Sequence, residues 1–232
     1  FVGWWLDLAM KNILARGGIE FLAVFIGIIL SLWVDDKRDI KIIRNNNFNT
    51  KNSLKVEIKL RVDYIETKIK QYERDIKVGE YVIDNWGSVN IDSIINITEG
   101  DRGILLTLKA YRAINLPISV YNSLNSDGSI GSIEEDTIKI ALDDLYEVFP
   151  AHIVDAVENE RVLYHSLNKY IIENYPKIVN GDINNQNKKR FDAFFNDNII
   201  LGYAIEKTNL RKFILRLIVI YKERLTDLEK LL

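Results

Sequence analysis

The chain has 232 residues, 47% of them hydrophobic, a formal net charge of −2 and no cysteine. That length supplies one sizeable core, or a modest helical domain together with an anchor. The balanced charge excludes a general nucleic-acid footprint, so no nucleic acid is expected as a partner. Without cysteine there are no disulfides, thiolate metal sites or cysteine nucleophile. Prolines are confined to Pro117, Pro150 and Pro176, a composition that favours long helices.

From the N-terminus, Trp4 and Trp5 stand beside Leu6 and Leu8, which suits a membrane–water interface, so residues 1–16 read as an interfacial segment. The only methionine, Met10, opens a run to Arg16 that reads as a natural start, making Phe1–Ala9 upstream sequence. Residues 17–36 contain the apolar run Phe21–Val34 and read as a single-pass transmembrane helix. The strict run measures about 21 Å, and Gly17 to Asp35 about 27 Å. Trp33 lies near one end as a third interface aromatic. No small-residue cleavage site follows, so the segment reads as a signal-anchor rather than a cleaved signal.

At about 100° per residue, Arg16, Glu20, Ala23, Gly27, Ser31 and Asp35 share one stripe of this helix. Ala23, Gly27 and Ser31 would let another helix approach closely, which predicts packing against a second copy or another membrane protein. Arg16, Glu20 and Asp35 are the intramembrane or near-membrane polar groups that such a neighbour would accommodate. Membrane lipid is the other expected partner. Lys37, Arg38, Lys41 and Arg44 follow the span against Lys11 and Arg16 before it. The positive-inside bias then favours a cytoplasmic C-terminal domain, although the side is left open.

Residues 37–232 read as a soluble helical domain. Leu54, Ile58, Val62, Ile65, Ile69, Tyr72 and Ile76 form a heptad-like seam, read as a bundle helix ahead of an intermolecular coiled coil. Asn45-Asn46-Asn47 is a candidate break between this helix and the span. Trp86-Gly87-Ser88 ends the element, and Asn90–Gly103 reads as a loop with a short helical turn. Ile104–Asn115 is a short helix candidate before Pro117. Asp127-Gly128 signals a turn, and Ser132 is placed as the N-cap of a helix that runs to Pro150. Further helices are expected over Ala151–Tyr175, over Phe191–Phe195, and from Asn198 or Thr208 to the C-terminus. The last carries Leu210, Ile214, Leu217, Tyr221, Leu225, Leu228 and Leu232 as its seam. The fold class is therefore all-α, an anchor followed by a bundle whose first and last long helices are antiparallel neighbours.

Two stretches together resemble a bacterial family of membrane-anchored proteins known only as a domain of unknown function. The first is Glu20, Gly27, Ser31-Leu32 and Asp35-Asp36. The second is Tyr121, Leu124, Gly128, Ile130 and Ile133, followed by Ile138, Leu142 and Tyr146. Family members often carry Gly before the acid and Asn-Asn-Trp at the membrane exit; here Ile19 and Asp35-Asp36-Lys37 mark a divergent member. The resemblance implies a membrane-anchored helical fold in the bacterial inner (cytoplasmic) membrane, and no activity.

Catalytic groups are scarce. His152 and His165 lie about 20 Å apart along one helix, and His152 with Asp155 and Glu158 lacks a second cluster of ligands. Ser129 and Ser132 have no G-x-S-x-G elbow, and Gly128-Ser129-Ile130-Gly131 lacks the ending of a phosphate loop. Lys188-Lys189-Arg190, Asp143-Asp144 and Glu134-Glu135-Asp136 read as solvated helix faces. Neither a metal nor a cofactor is expected, and no enzyme activity. The expected function is an oligomeric or scaffolding subunit of a membrane complex. The alternative is an oligomeric effector or channel whose axis Arg16, Glu20, Ser31 and Asp35 would line.

Overall fold

A computed structural model describes residues 2–98, 103–179 and 188–232, with side chains described apart from those of 1–20, 23 and 188–190. Among the described residues the chain is all-α, with no strand. The helices are α1 Val2–Asp84, α2 Ile91–Thr98, α3 Ile104–Lys109, α4 Ser119–Ser126, α5 Asp136–Asp143, α6 Phe149–Asn174, α7 Lys188–Phe194 and α8 Asn198–Leu231. Asn45-Asn46-Asn47 does not break α1, because asparagine costs a helix only tenths of a kcal/mol and no proline or glycine reinforces it.

α1 and α8 pack antiparallel, as the sequence predicts. Arg61 meets Tyr221, Glu66 meets Lys222 at 3.4 Å, and Glu80 meets Lys212 at 2.7 Å. Gly79 permits a close approach to α8, since a Cβ there would collide with the Thr208 hydroxyl. The buried register differs from the expected seam. On α8 the buried ladder is Lys207, Arg211, Ile214, Ile218, Tyr221, Leu225 and Leu228, whereas Leu210 and Leu217 are only partly covered. On α1 it takes in Glu57, Arg61 and Asp75 alongside Leu54, Ile58, Ile65 and Tyr72. An apolar-only reading skips these charged positions, which are buried because they pair with each other and with backbone.

Pro150 does not end a helix. Residues Asp144–Val148 form a π-helical turn that joins α5 to α6, and the Phe149 amide donates to the Asp144 carbonyl. The wider turn accommodates a residue that has no N–H and whose ring crowds the preceding turn. Ile104–Asn115 is helical only to Lys109, and from Ala110 to Ile118 the chain runs without regular secondary structure, tied down by side chains of the long helices. Ser132 is not an N-cap: its hydroxyl donates to the Ser129 carbonyl inside a 3-10 turn, and α5 begins at Asp136. The Asp127-Gly128 turn is present, with Gly128 at φ 78° and Asp127 Oδ1 accepting from the Ser129 amide.

Two apolar clusters fill the bundle. One gathers Leu54, Ile65, Tyr121, Leu145, Ile153 and Ile214, and the other Val78, Ile94, Ile171, Phe191, Phe194 and Ile200. A layer of charged side chains separates them. Among the described residues no helix is long and apolar enough to cross a membrane. The apolar run with described side chains is about two turns short of the ~30 Å hydrocarbon thickness, so the span expected at 17–36 is not met by these residues.

Candidate functional site

Two places depart from an ordinary helical bundle. The first is the exposed half of α1. From Phe21 to Asn46 every described side chain is exposed, Phe21 at 69% and Ile29, the least so of the large apolar side chains of Phe21–Val34, at 48%. Large apolar groups cover the circumference here except along the Gly27–Ser31 side, through Phe21, Leu22, Val24, Phe25, Ile26, Ile28, Ile29 and Leu30. A Cβ added at Gly27 would meet no heavy atom within 4 Å, and Ser31 and Asp35 are exposed on the same side. Trp33 is exposed, with Lys37 Nζ 3.8 Å above its ring. The side chains of Trp4, Trp5, Arg16, Glu20 and Ala23 lie outside the described residues, as do those of Lys188-Lys189-Arg190.

The second is the charged layer. Arg112 donates to both oxygens of Asp75, at 2.7 and 2.8 Å. Arg211 Nε donates to Glu160 at 2.8 Å, and its Nη2 donates to the Ala110 carbonyl at 2.8 Å and lies 3.5 Å from Asp75. Lys207 donates to the Lys109 carbonyl and lies 3.9 Å from Glu160. Tyr72 donates to the Arg112 carbonyl, and its hydroxyl lies 3.3 Å from Glu160. All of these side chains are buried. The irregular segment owes its place to them: its backbone groups find partners on α1, α6 and α8 instead of in a ladder. Lys68 and Tyr64 extend the pattern, to the Ala113 carbonyl and the Asn115 amide respectively.

Nearer the exposed half of α1, the fully buried Arg61 donates to the carbonyls of Pro117 and Leu145 and to the Tyr221 hydroxyl. The Leu145 carbonyl needs these donors. Its α-helical partner, the Phe149 amide, bonds to Asp144, and the next residue along, Pro150, has no N–H. Tyr221 supplies a second bond to the same oxygen at 2.8 Å. The Arg61 guanidinium also stacks 3.6 Å over Tyr146, which stacks on Tyr121. Among the described residues, Arg61 Nη2 and the Tyr146 hydroxyl are buried with no hydrogen-bond partner.

The electrostatics follow from burial. It pushes the Tyr72 hydroxyl far above the usual phenol range, with Glu160 adding to the effect and Arg211 opposing it. Burial likewise raises Tyr146, and takes Tyr221 to about 12. It lowers the Lys109 ammonium. At the far end of the bundle Asp197 accepts from Tyr170, Tyr175 and the Ile199 amide. Burial pushes its carboxyl up, but these hydrogen bonds outweigh that and hold it below the ordinary value.

The carboxylates of these groups already accept from guanidinium, hydroxyl or amide donors. His152 and His165 are exposed, and among the described residues no group of three or more His, Cys, Asp and Glu could hold a metal ion. The grooves are open to solvent, such as the one between α1 and α8 lined by Ile69, Val219, Lys222 and Thr226. Reading the sequence for apolar ladders missed the charged layer. Its signal was present as charges at seam spacing, Arg61 and Asp75 on one long helix and Lys207 and Arg211 on the other. No protein-family model, curated protein or solved structure matches this chain.

Proposed function

We propose that the chain is a membrane-anchored, non-catalytic helical subunit that assembles with copies of itself or with another membrane protein. The observation that carries this reading is the apolar sleeve of Phe21–Val34, exposed around the full circumference of a helix whose other half is packed in a bundle. Water disfavours such a sleeve by roughly 25 cal/mol per Å² of apolar surface, whereas lipid or a partner helix removes the penalty. Residues 17–35 give the anchor a length of about 27 Å, and modest bilayer thinning covers the remainder. Trp33 and Lys37 fit the headgroup level at its end. The Gly27–Ser31 side of the sleeve is the contact face, because only there do small side chains admit a neighbouring backbone.

Flotation with liposomes tests the anchor. The full chain is expected to float and to resist alkaline extraction, and recovery in the soluble fraction would sink the reading. Gly27→Leu tests the contact face: crosslinked or native-mass oligomers are expected to disappear while flotation persists, and unchanged assembly would remove Gly27 from the interface.

A further inference from the structure

The first turns of α1 inside the bundle are fastened to one short stretch of chain by polar bonds. Thr50 donates to the Ser129 carbonyl at 3.5 Å and lies 3.4 Å from the Ser132 hydroxyl. Lys51 pairs with Glu135 at 2.7 Å. Glu57 accepts from the amides of Val120 at 2.6 Å and Tyr121 at 3.1 Å, and Arg61 holds the Pro117 carbonyl. The stretch so fastened, residues 117–135, puts only Tyr121 and Ile133 fully into the core. Tyr121 is the only buried residue of α4, and the 3-10 turn Ser129–Ser132 has none. α4 also lacks a side-chain cap from its own N-cap residue, Ile118. The buried Glu57 carboxylate, reaching across from another helix, takes that role.

We propose that residues 117–135 form a collar that opens separately from the rest of the bundle, with Glu57 of α1 as its latch. Segments with few buried apolar contacts open at lower free energy than the core that carries them. The polar bonds that fasten the collar run to α1 and not to α8, so its release leaves the α1–α8 seam intact. Opening uncovers Glu57 and frees Arg61 from the Pro117 carbonyl, at the foot of the exposed half of α1. The collar thereby becomes a conformational device placed where that half joins the bundle. It stands on these contacts alone and does not depend on the membrane reading, which flotation tests separately.

Hydrogen exchange of the full chain, read by mass spectrometry across a series of sub-denaturing urea concentrations, tests it. In the unmodified chain the Val120 and Tyr121 amides are expected to exchange ahead of Ile214–Leu228, by an opening that depends little on urea. Glu57→Gln should speed them by about tenfold or more, as expected for weakened charge-assisted bonds to buried amides, without changing α8. Exchange of the collar only through global unfolding would overturn the proposal. So would a Glu57→Gln chain in which the collar is unaltered, or in which collar and α8 accelerate equally. Should that variant not fold, Thr50→Val removes only the hydroxyl contacts to Ser129 and Ser132. It must then speed residues 129–133 ahead of α8, and no selective change there would equally overturn the collar.

Discussion

The two halves of α1 obey the same backbone geometry and have opposite surroundings. Between Thr50 and Val82 the helix buries one stripe, set by Leu54, Ile58, Ile65, Tyr72 and Val78, and leaves Lys55, Lys59 and Lys77 in solvent. Between Phe21 and Val34 apolar groups stand on all but the Gly27–Ser31 side, and none of the described residues covers them. A stripe is solved by one neighbouring helix; a full sleeve needs a surrounding apolar medium or several neighbours. The buried half also carries charges in its stripe, whereas the sleeve carries none between Phe21 and Val34. A folded bundle tolerates Arg61 and Asp75 because it supplies their partners at fixed positions, and lipid cannot.

Breaking the charged layer should produce the largest effect and confine it to the buried half. Asp75→Ala leaves the Arg112 guanidinium buried without its bidentate partner and is expected to destabilise the bundle by about 3–5 kcal/mol, read as a lowered urea midpoint. The apolar replacement of the whole layer is the sharper test, since removing all of the charges together should cost far less than removing one. Next in size is Gly79→Ala. The added methyl meets Thr208 at the α1–α8 crossing, and overpacking of this kind costs about 1–3 kcal/mol, less the small helix-propensity gain. Pairing it with Thr208→Ala should recover much of the loss, which a double-mutant cycle measures.

The pH dependence of the far end is a smaller effect with a definite sign. Asp197 has its folded pKa held below its ordinary value of 3.8, so it stabilises the fold above that value and the contribution is lost as pH falls through the folded pKa. Tyr170 and Tyr175 are raised above the ordinary value of 10.0: the Asp197 hydrogen bond leads at Tyr170, and burial leads at Tyr175. Their contribution is present below pH 10.0 and is lost as pH rises through the folded values. Melting temperature against pH for Asp197→Asn should fall less steeply on the acid side than that of the unmodified chain. The smallest effect on folding belongs to the sleeve. Ile29→Ser is expected to change bundle stability by less than about 0.5 kcal/mol while weakening liposome flotation. A large change in the urea midpoint would mean that the two halves of α1 are not independent.

Much of the architecture was legible in the residues. The alternation of apolar and charged groups over 54–76 and 210–232, the stops at Trp86-Gly87-Ser88 and Pro176, and the Asp127-Gly128 turn all lie where local rules place them. Local rules failed where distant groups intervene. Proline reads as a helix end at Pro150, and the π turn overrides it because Arg61 and Tyr221 satisfy the Leu145 carbonyl it strands. Ile104–Asn115 has helical composition, yet its second part is drawn out straight by Lys207, Arg211, Tyr72 and Lys68. Ser132 has the features of a cap, and its hydroxyl is engaged by Ser129 beside Thr50.

What the residues determined on their own was helix content, the two long amphipathic helices and the apolar sleeve, because each depends on spacing along one helix. The tertiary structure alone decided which positions of those helices are buried, that charges are among them, and how a nine-residue irregular segment crosses the bundle. These are matters of pairing between residues 37 to 160 positions apart. A buried charge is tolerable only where its partners converge, and convergence is a property of the fold rather than of any single stretch of chain.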